Sequence, residues 1–384
     1  MSQSHLQPNI AERVQRVANL ARDNAAQSEA LGQLAPPVVE AMHKEGLLGM
    51  WVPKAVKGGL ELDPLASLEV IEKVAYGDPS AGWVLMAASL AIGTGAAYLK
   101  DDAVKELFGG DRLPVIAGQG TRPGKAVPKG NGFNLSGAWS FASGIKHGTH
   151  IHTLGLIEGT NEARIFVFPV SKAKLIDNWD VLGLRATGSI DYTTTDTFVP
   201  DAYTHPATTE QALRGGSLYT IGIIGFAGLA HSGWACGIGR RVLDELIGTV
   251  AEKAGRPGTL ADSASFQEQF ANVEAVYRSA RAFVYETWGD AQQTIQRGDK
   301  LSTRQHTLIR LALAHSTWSA HEVTTFAYKS AGTAALRAGT IQHLFRDMHA
   351  GTQHITSSPP VYASIGRELA GLAKGKQWMF LNLV

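Results

Sequence analysis

Three histidines near the end of the chain, His343, His349 and His354, are the side chains best suited to exchanging protons near neutral pH. They make a poor metal set. On one helix His349 and His354 would lie about 140° apart and share no face. No His-Glu-x-x-His pattern or two-His-one-carboxylate spacing accompanies them, so no metal is expected. A second chemistry-bearing stretch, Arg185-Ala186-Thr187-Gly188-Ser189, gathers a guanidinium fork, two hydroxyls and a glycine. It suits a phosphate or the polar edge of a ring, because arginine offers donors in fixed geometry and glycine permits close backbone approach. Ser143 and Gly144 follow the aromatic run Trp139-Ser140-Phe141. A serine there bonds either a ligand or the backbone of its own turn, and Trp139 either flanks a ligand or packs a core. Arg256, in the break Gly255-Arg256-Pro257-Gly258, reaches either a phosphate or solvent. Cys236 is the only cysteine, which excludes an internal disulfide and a cysteine zinc cluster. Gly118 and Gly120 do not continue as G-x-G-x-x-G into a helix, so no nicotinamide cofactor is expected on this chain.

These residues need elements to hold them. The chain has 384 residues, more than one ordinary core, and 44% of them are hydrophobic with 18% charged, as in a well-packed globular protein. Thirty-five Lys and Arg against 34 Asp and Glu leave no surplus for a phosphate backbone, which argues against nucleic-acid binding. The first residues, Met1 to Asn9, lack an apolar signal core, and a reducing cytoplasm is the expected compartment. Two uncharged stretches, Ala81 to Leu99 and Ser217 to Gly239, are long enough for a membrane span. Both are diluted with Gly, Ala, Ser and Thr, and both read as helices buried on all sides.

Ile10, Val14, Val17 and Ala21 recur at helical spacing, Pro36-Pro37 opens another helix, and Asp78-Pro79-Ser80 caps the first uncharged stretch. Between Leu113 and Pro200 the texture turns to strands: an Asn131-Gly132 hairpin dipeptide, Ile165 to Phe168, and the threonine-rich Tyr192 to Val199. Helical periodicity then returns through Val273, Val276, Tyr277 and Ala280 and again through Leu308, Leu311 and His315. The expected organisation is α+β: a helical domain over 1–112, a β-barrel domain over 113–206 and a helical bundle over 207–384.

Four patterns stand in that frame: Gly46-Leu47-Leu48 through Val52-Pro53 and Gly58-Gly59 to Glu72, Ala75 and Asp78-Pro79-Ser80; Gly137-Ala138-Trp139-Ser140-Phe141-Ala142-Ser143-Gly144; Asp180 through Arg185 to Ser189, then Phe198-Val199-Pro200; and Phe345-Arg346-Asp347-Met348-His349-Ala350-Gly351-Thr352-Gln353-His354. Together, in this order and over nearly the whole chain, they resemble the acyl-CoA dehydrogenase superfamily. Two departures point to its oxygenase branch, the two-component (group D) flavin monooxygenases. The loop Ala117-Gly118-Gln119-Gly120-Thr121-Arg122 has no acidic residue, and Gln353, His354 and Ile355 occupy the neighbourhood where many dehydrogenases keep a catalytic glutamate.

The resemblance implies reduced flavin, FADH2 before FMNH2, delivered by a separate NAD(P)H:flavin reductase, and reaction with O2 through a hydroperoxyflavin. It implies a homotetramer. It places Gln119, Trp139, Phe141, Ser143, Arg185, Thr187, Gly188, Ser189 and Arg256 at the flavin, with Ser143 against its N5 and His354 managing protons. Trp83, Met86 and Ser89 would line the substrate pocket. Because Trp83 to Leu90 carries no ionisable side chain, the expected substrate is a neutral, electron-rich ring of the indole type. The competing readings are a flavin dehydrogenase with an unusual base and a non-catalytic flavin-fold binding protein.

Overall fold

The computed structural model describes residues 4–252, 254–255 and 258–384. Six helices come first: α1 (Pro8–Asp23), α2 (Ala25–Leu31), α3 (Pro36–Lys44), α4 (Pro64–Gly77), α5 (Pro79–Tyr98) and α6 (Asp101–Phe108). The start of α5 is fixed locally. The Asp78 side chain accepts the Ala81 N–H at 2.8 Å, and Pro79 fills the first turn, where its missing N–H costs nothing. All of α5 except Ala87 and Leu90 is buried. Those two follow Trp83 by four and seven residues, so α5 has one partly open face, and it belongs to the Trp83 side.

Seven strands follow: β1 (Ile116–Lys129), β2 (Gly132–Trp139), β3 (His150–Ile157), β4 (Ala163–Pro169), β5 (Lys174–Ile176), β6 (Asp191–Pro200) and β7 (Thr204–Pro206). They form one sheet in the order β5-β6-β2-β1-β3-β4-β7. Only β1 and β3 run parallel. The ladder is open, with β5 and β7 as edges, so the expected barrel is not closed by hydrogen bonds. The β1–β2 hairpin also turns one residue earlier than its sequence suggests. Lys129 pairs with Gly132, so Gly130 and Asn131 form the turn, and Gly130 takes the positive φ of 56° that glycine tolerates.

The third region holds α7 (Gly222–Ala251), α8 (Ala264–Gln296), α9 (Thr303–Ala331), α10 (Thr340–Gly351) and α11 (Val361–Leu369), ending in a short hairpin of β8 (Trp378–Met379) and β9 (Asn382–Leu383). The two membrane-length apolar segments are α5 and the Ser217–Ala251 helix. They are 89% and 83% buried within the protein, as expected of core helices. Helix α7 is the common wall: it packs on α4, α5, α9 and α10. Its Trp234 donates from Nε1 to the Pro79 carbonyl at 2.9 Å, and a Cβ on Gly351 would stand 2.0 Å from the Trp234 ring. Helix α10 therefore approaches α7 closely only because residue 351 is glycine. A second tie joins α4 to α8: Glu72 receives Arg281 at 2.6 and 3.0 Å and the Tyr285 hydroxyl at 2.6 Å.

Candidate active site

The start of α5 meets the end of the third region around one indole ring. Trp83 stands edge-on to His231 and Trp234, each at 4.9 Å between centroids, and to His354 at 5.6 Å. His231 and His354 lie 4.1 Å apart with ring planes 32° from parallel. Burial keeps both imidazoles neutral. It pushes His354 down to about 4, and it lowers His231 well below the ordinary histidine range, with His354 adding to that effect. The His354 ring is oriented from behind, because its Nδ1 accepts the Thr356 N–H and contacts the Thr356 hydroxyl at 2.8 Å. That leaves the proton on Nε2, as a donor away from the backbone.

On its other side Trp83 donates from Nε1 to Ser143 Oγ at 3.0 Å. Ser143 Oγ lies 2.8 Å from Ser189 Oγ, which lies 2.6 Å from Thr187 Oγ1, and Thr187 donates to the Leu184 carbonyl at 2.7 Å. Backbone bonds clamp the two loops that carry these hydroxyls: Gly144 N–H to the Thr187 carbonyl at 2.8 Å and Ala142 N–H to the Ile190 carbonyl at 3.2 Å. Leu184 and Gly188 both take positive φ, 55° and 52°. A Cβ on Gly188 would stand 2.9 Å from the Gly32 carbonyl, so glycine lets this loop lie against the end of α2.

A charged knot holds the same loop from behind. Asp347 Oδ1 accepts the Leu184 N–H at 2.7 Å, and its Oδ2 meets Ser80 Oγ and His343 Nε2, both at 3.3 Å. His343 also contacts Glu29 at 3.0 Å and Asp78 at 3.2 Å. Burial opposes a charge on His343, yet the carboxylates of Asp347, Asp78 and Glu29 overwhelm it and push the ring up to about 11. Arg346 closes the knot on Glu29 at 2.5 Å, and hydrogen bonding from His343 pulls that carboxyl down to about 2.

Trp83, Ser143, Thr187, Gly188, Ser189 and His354 converge. Phe141 lies beside them: 66% exposed, at φ 67°, edge-on to the half-buried Trp179 at 6.2 Å. Phe141 thus gives this rim apolar surface that is open among the described residues. Arg185 is exposed and makes only a long, 4.0 Å ion pair with Glu29.

Other expectations are corrected. Trp139 does not face a ligand. It is buried in the sheet core, stacked on Tyr192 at 5.2 Å and bonded to the Leu154 carbonyl at 3.2 Å. Its ring occupies a slot left by two glycines, since a Cβ on Gly124 or Gly137 would come within 2.4 and 2.6 Å of it. Ser89 is fully buried, with an Oγ that has no partner among the described residues. Six residues along α5 it has turned about 120° from the Trp83 face. Met86 is buried too, but at about 60° around the helix from Trp83 it stays on the Trp83 side. Gln119 is occupied within its own strand irregularity, accepting the Arg122 N–H at 2.9 Å and contacting Thr121. His349 points elsewhere, its Nε2 3.0 Å from that of His321 and its ring on Phe345 at 4.0 Å. Arg256 lies outside the described residues. Among the described residues no group of three or more metal-ligating side chains occurs.

Sequence reasoning missed His231, and with it the ionisable character of the pocket. Its signal was visible: it is the one imidazole in the uncharged stretch from Ser217 to Gly239, three residues before Trp234.

The arrangement fits a flavin. Ser143 offers a polar atom, the Phe141–Trp179 pair offers apolar surface, the exposed Arg185 offers a guanidinium for an anionic group, and the glycine at 188 lets the loop lie close to α2. Comparisons with known proteins agree. Residues 4–108 match the model of the acyl-CoA dehydrogenase N-terminal domain, and residues 229–359 match that of the C-terminal domain. An indole-3-acetate monooxygenase of Pseudomonas putida is 30% identical over 350 residues, covering 87% of this chain and 86% of its own. The oxygenase component of an FADH2-dependent resorcinol hydroxylase from a Rhizobium species is 24% identical, covering 96% of both chains. The crystal structure of 3-HSA hydroxylase from Rhodococcus sp. RHA1 superposes with a TM-score of 0.87 at 22% identity, over 95% of this chain and 97% of its own, and so shares the fold. The chain belongs to the acyl-CoA dehydrogenase superfamily, among its flavin-dependent monooxygenases.

Proposed function

We propose that this enzyme takes FADH2 from a separate NAD(P)H:flavin reductase and, with O2, adds one oxygen atom to a flat aromatic substrate of the indole type. The observation that carries the reading is the wall of Trp83, His231, Trp234 and His354 one hydrogen bond away from Ser143. Aromatic edges and neutral imidazoles make a slot for a planar ring. The partly open side of α5, Ala87 and Leu90, extends it with small and apolar surface.

Bound reduced flavin supplies the oxygen chemistry, and the side chains arrange it. Ser143 would hold the N5 edge of the ring, while Phe141 and Trp179 would cover its apolar surface. Arg185 is placed for its anionic part. His354 presents Nε2–H to the reacting region as a neutral hydrogen-bond donor. Burial keeps that ring neutral, and His354 in turn helps keep the adjacent, equally buried His231 neutral. The pocket is therefore lined by aromatic edges and neutral imidazoles and, among the described residues, holds no full charge, which suits an uncharged planar heterocycle. The indole-3-acetate monooxygenase relative supports this substrate class, and the FADH2-dependent relative supports the flavin.

The test supplies a flavin reductase, NADH and FAD to the protein and offers indole, indole-3-acetate and 4-hydroxyphenylacetate side by side. Oxygenation of the indoles ahead of the phenol is expected, with blue pigment from indole. Preferential consumption of 4-hydroxyphenylacetate, or acyl-CoA dehydrogenation by the protein alone, would overturn the reading.

A further inference from the structure

The hydroxyl chain at the site has a direction, and the direction is forced. Thr187 Oγ1 lies 2.7 Å from the Leu184 carbonyl oxygen, a contact that is repulsive unless a proton lies between them. Only Thr187 can supply it, so its single proton is spent there. Ser189, 2.6 Å away, must then donate to Thr187. Its proton is now spent as well, so at 2.8 Å Ser143 must donate to Ser189. Trp83 Nε1, a donor only, fills one lone pair of Ser143 Oγ. What remains on Ser143 is one lone pair and no proton. The oxygen at the groove is an acceptor, and the residues that make it so, Thr187 and Ser189, stand behind it.

We propose that Thr187 and Ser189 act as positioning residues that set Ser143 to accept and never donate, so that the site discriminates reduced from oxidised flavin. The inference rests on the reading that Ser143 meets the flavin N5. Reduced flavin carries a proton on N5 and matches an acceptor. Oxidised flavin presents a bare lone pair there, which meets the Ser143 lone pair without a proton between them. The discrimination needs no movement of the protein, because loops 141–144 and 184–190 are clamped by backbone hydrogen bonds. A two-component enzyme gains from this: it holds the flavin form that its partner delivers and lets the spent form leave.

The experiment measures dissociation constants of full-length protein for FADH2 without oxygen and for FAD in air. It compares wild type with Ser143→Ala, Thr187→Val, Thr187→Ser and Ser189→Ala. In wild type the reduced form binds more tightly. Thr187→Val keeps the shape but removes the acceptor for Ser189, which frees the chain to reverse and Ser143 to donate to bare N5. Binding of FAD should tighten by about three- to tenfold, the worth of one hydrogen bond. Ser189→Ala should act the same way and stands in if Thr187→Val does not fold. Thr187→Ser, which retains the hydroxyl, should restore the wild-type ratio. Ser143→Ala should lower the ratio by weakening FADH2 binding instead. A Ser143→Ala effect with no change in either chain variant would overturn the directional chain and leave Ser143 at the flavin. No change in Ser143→Ala would remove Ser143 from the flavin and the inference with it.

Discussion

Two buried polar clusters meet at this site, and they are built on opposite principles. Trp83, Ser143, Ser189 and Thr187 form a neutral chain with one unused valence, which faces the groove. Glu29, Asp78, His343, Arg346 and Asp347 form a charged knot in which every carboxylate has a cationic partner. Both tie the start of α5 to the 184–189 loop, the chain through Ser143 and the knot through Asp347 of α10. The knot is saturated, so it can only hold. The chain is incomplete, so it can recognise. Asp347 connects them, because the Leu184 N–H it accepts belongs to the residue whose carbonyl anchors Thr187.

The largest effect expected lies on the recognising side. His354→Ala should cut oxygenated product by about 10²–10³-fold, the usual worth of a preorganised hydrogen-bond donor at a reacting centre. Flavin affinity should stay close to wild type, while the thermal midpoint should fall by a few degrees, since the ring packs on His231 and Trp83 and its removal leaves a cavity. Burial lowers the His354 pKa to about 4, so the group stays neutral in the fold above that value. Its contribution to turnover should be flat from pH 6 to pH 8 and fade as pH falls towards about 4. Activity within threefold of wild type would remove His354 from the chemistry.

On the holding side, His343→Gln leaves Asp78, Asp347 and Glu29 without their shared cation. Breaking a buried pair this way costs about 3–5 kcal/mol of stability. The pH dependence has a definite sign. The folded pKa, about 11, lies above the ordinary 6.5, so the cation's contribution is complete below pH 6.5 and is lost as pH rises towards 11. The stability gap between wild type and variant, followed by urea unfolding, should therefore narrow from pH 6.5 to pH 10. A gap that widened with pH would show that His343 is not the cation of the knot.

The contrast also explains what could be read from the sequence. The order of elements was legible because each has local signals: Asp78-Pro79 opening α5, threonine alternation along β6, apolar periodicity in α8 and α9. His354 and Ser143 were legible because they sit in patterned stretches. Trp139 was misplaced since the same pattern that brings Ser143 to the groove turns the indole inward. What decides it is the pair Gly124 and Gly137, and Gly124 lies on another strand. Ser89 failed on helix angle alone, six residues being one and two-thirds turns. His231 was hidden inside an apolar helix that reads as core, which most of it is. The hydroxyl direction could not be read at all. It depends on distances among Trp83, Ser143, Leu184, Thr187 and Ser189, which three separate segments bring together.

The smallest effect expected concerns Phe141, on the open side of the neutral cluster. A large exposed aromatic at φ 67° is in the left-handed region, which costs a non-glycine residue on the order of 1–3 kcal/mol. The ring recovers little of this within the chain, being 66% exposed with one edge contact to Trp179. Strain kept at such a position is consistent with use by a ligand. Phe141→Gly should relieve the strain, less roughly 0.5–1 kcal/mol for the added freedom of the unfolded chain. Stability should then be unchanged or higher by about 1 kcal/mol. Flavin binding should move the other way, weakening by about two- to tenfold, because an aromatic contact contributes ~0.5–1.5 kcal/mol. Phe141→Leu separates the two effects: it keeps the backbone strain, so stability should not rise, yet it loses the aromatic ring and should bind flavin as weakly as the glycine variant. If stability and flavin affinity fall together in Phe141→Gly, the ring is part of the scaffold, and the open side of the cluster is holding rather than recognising.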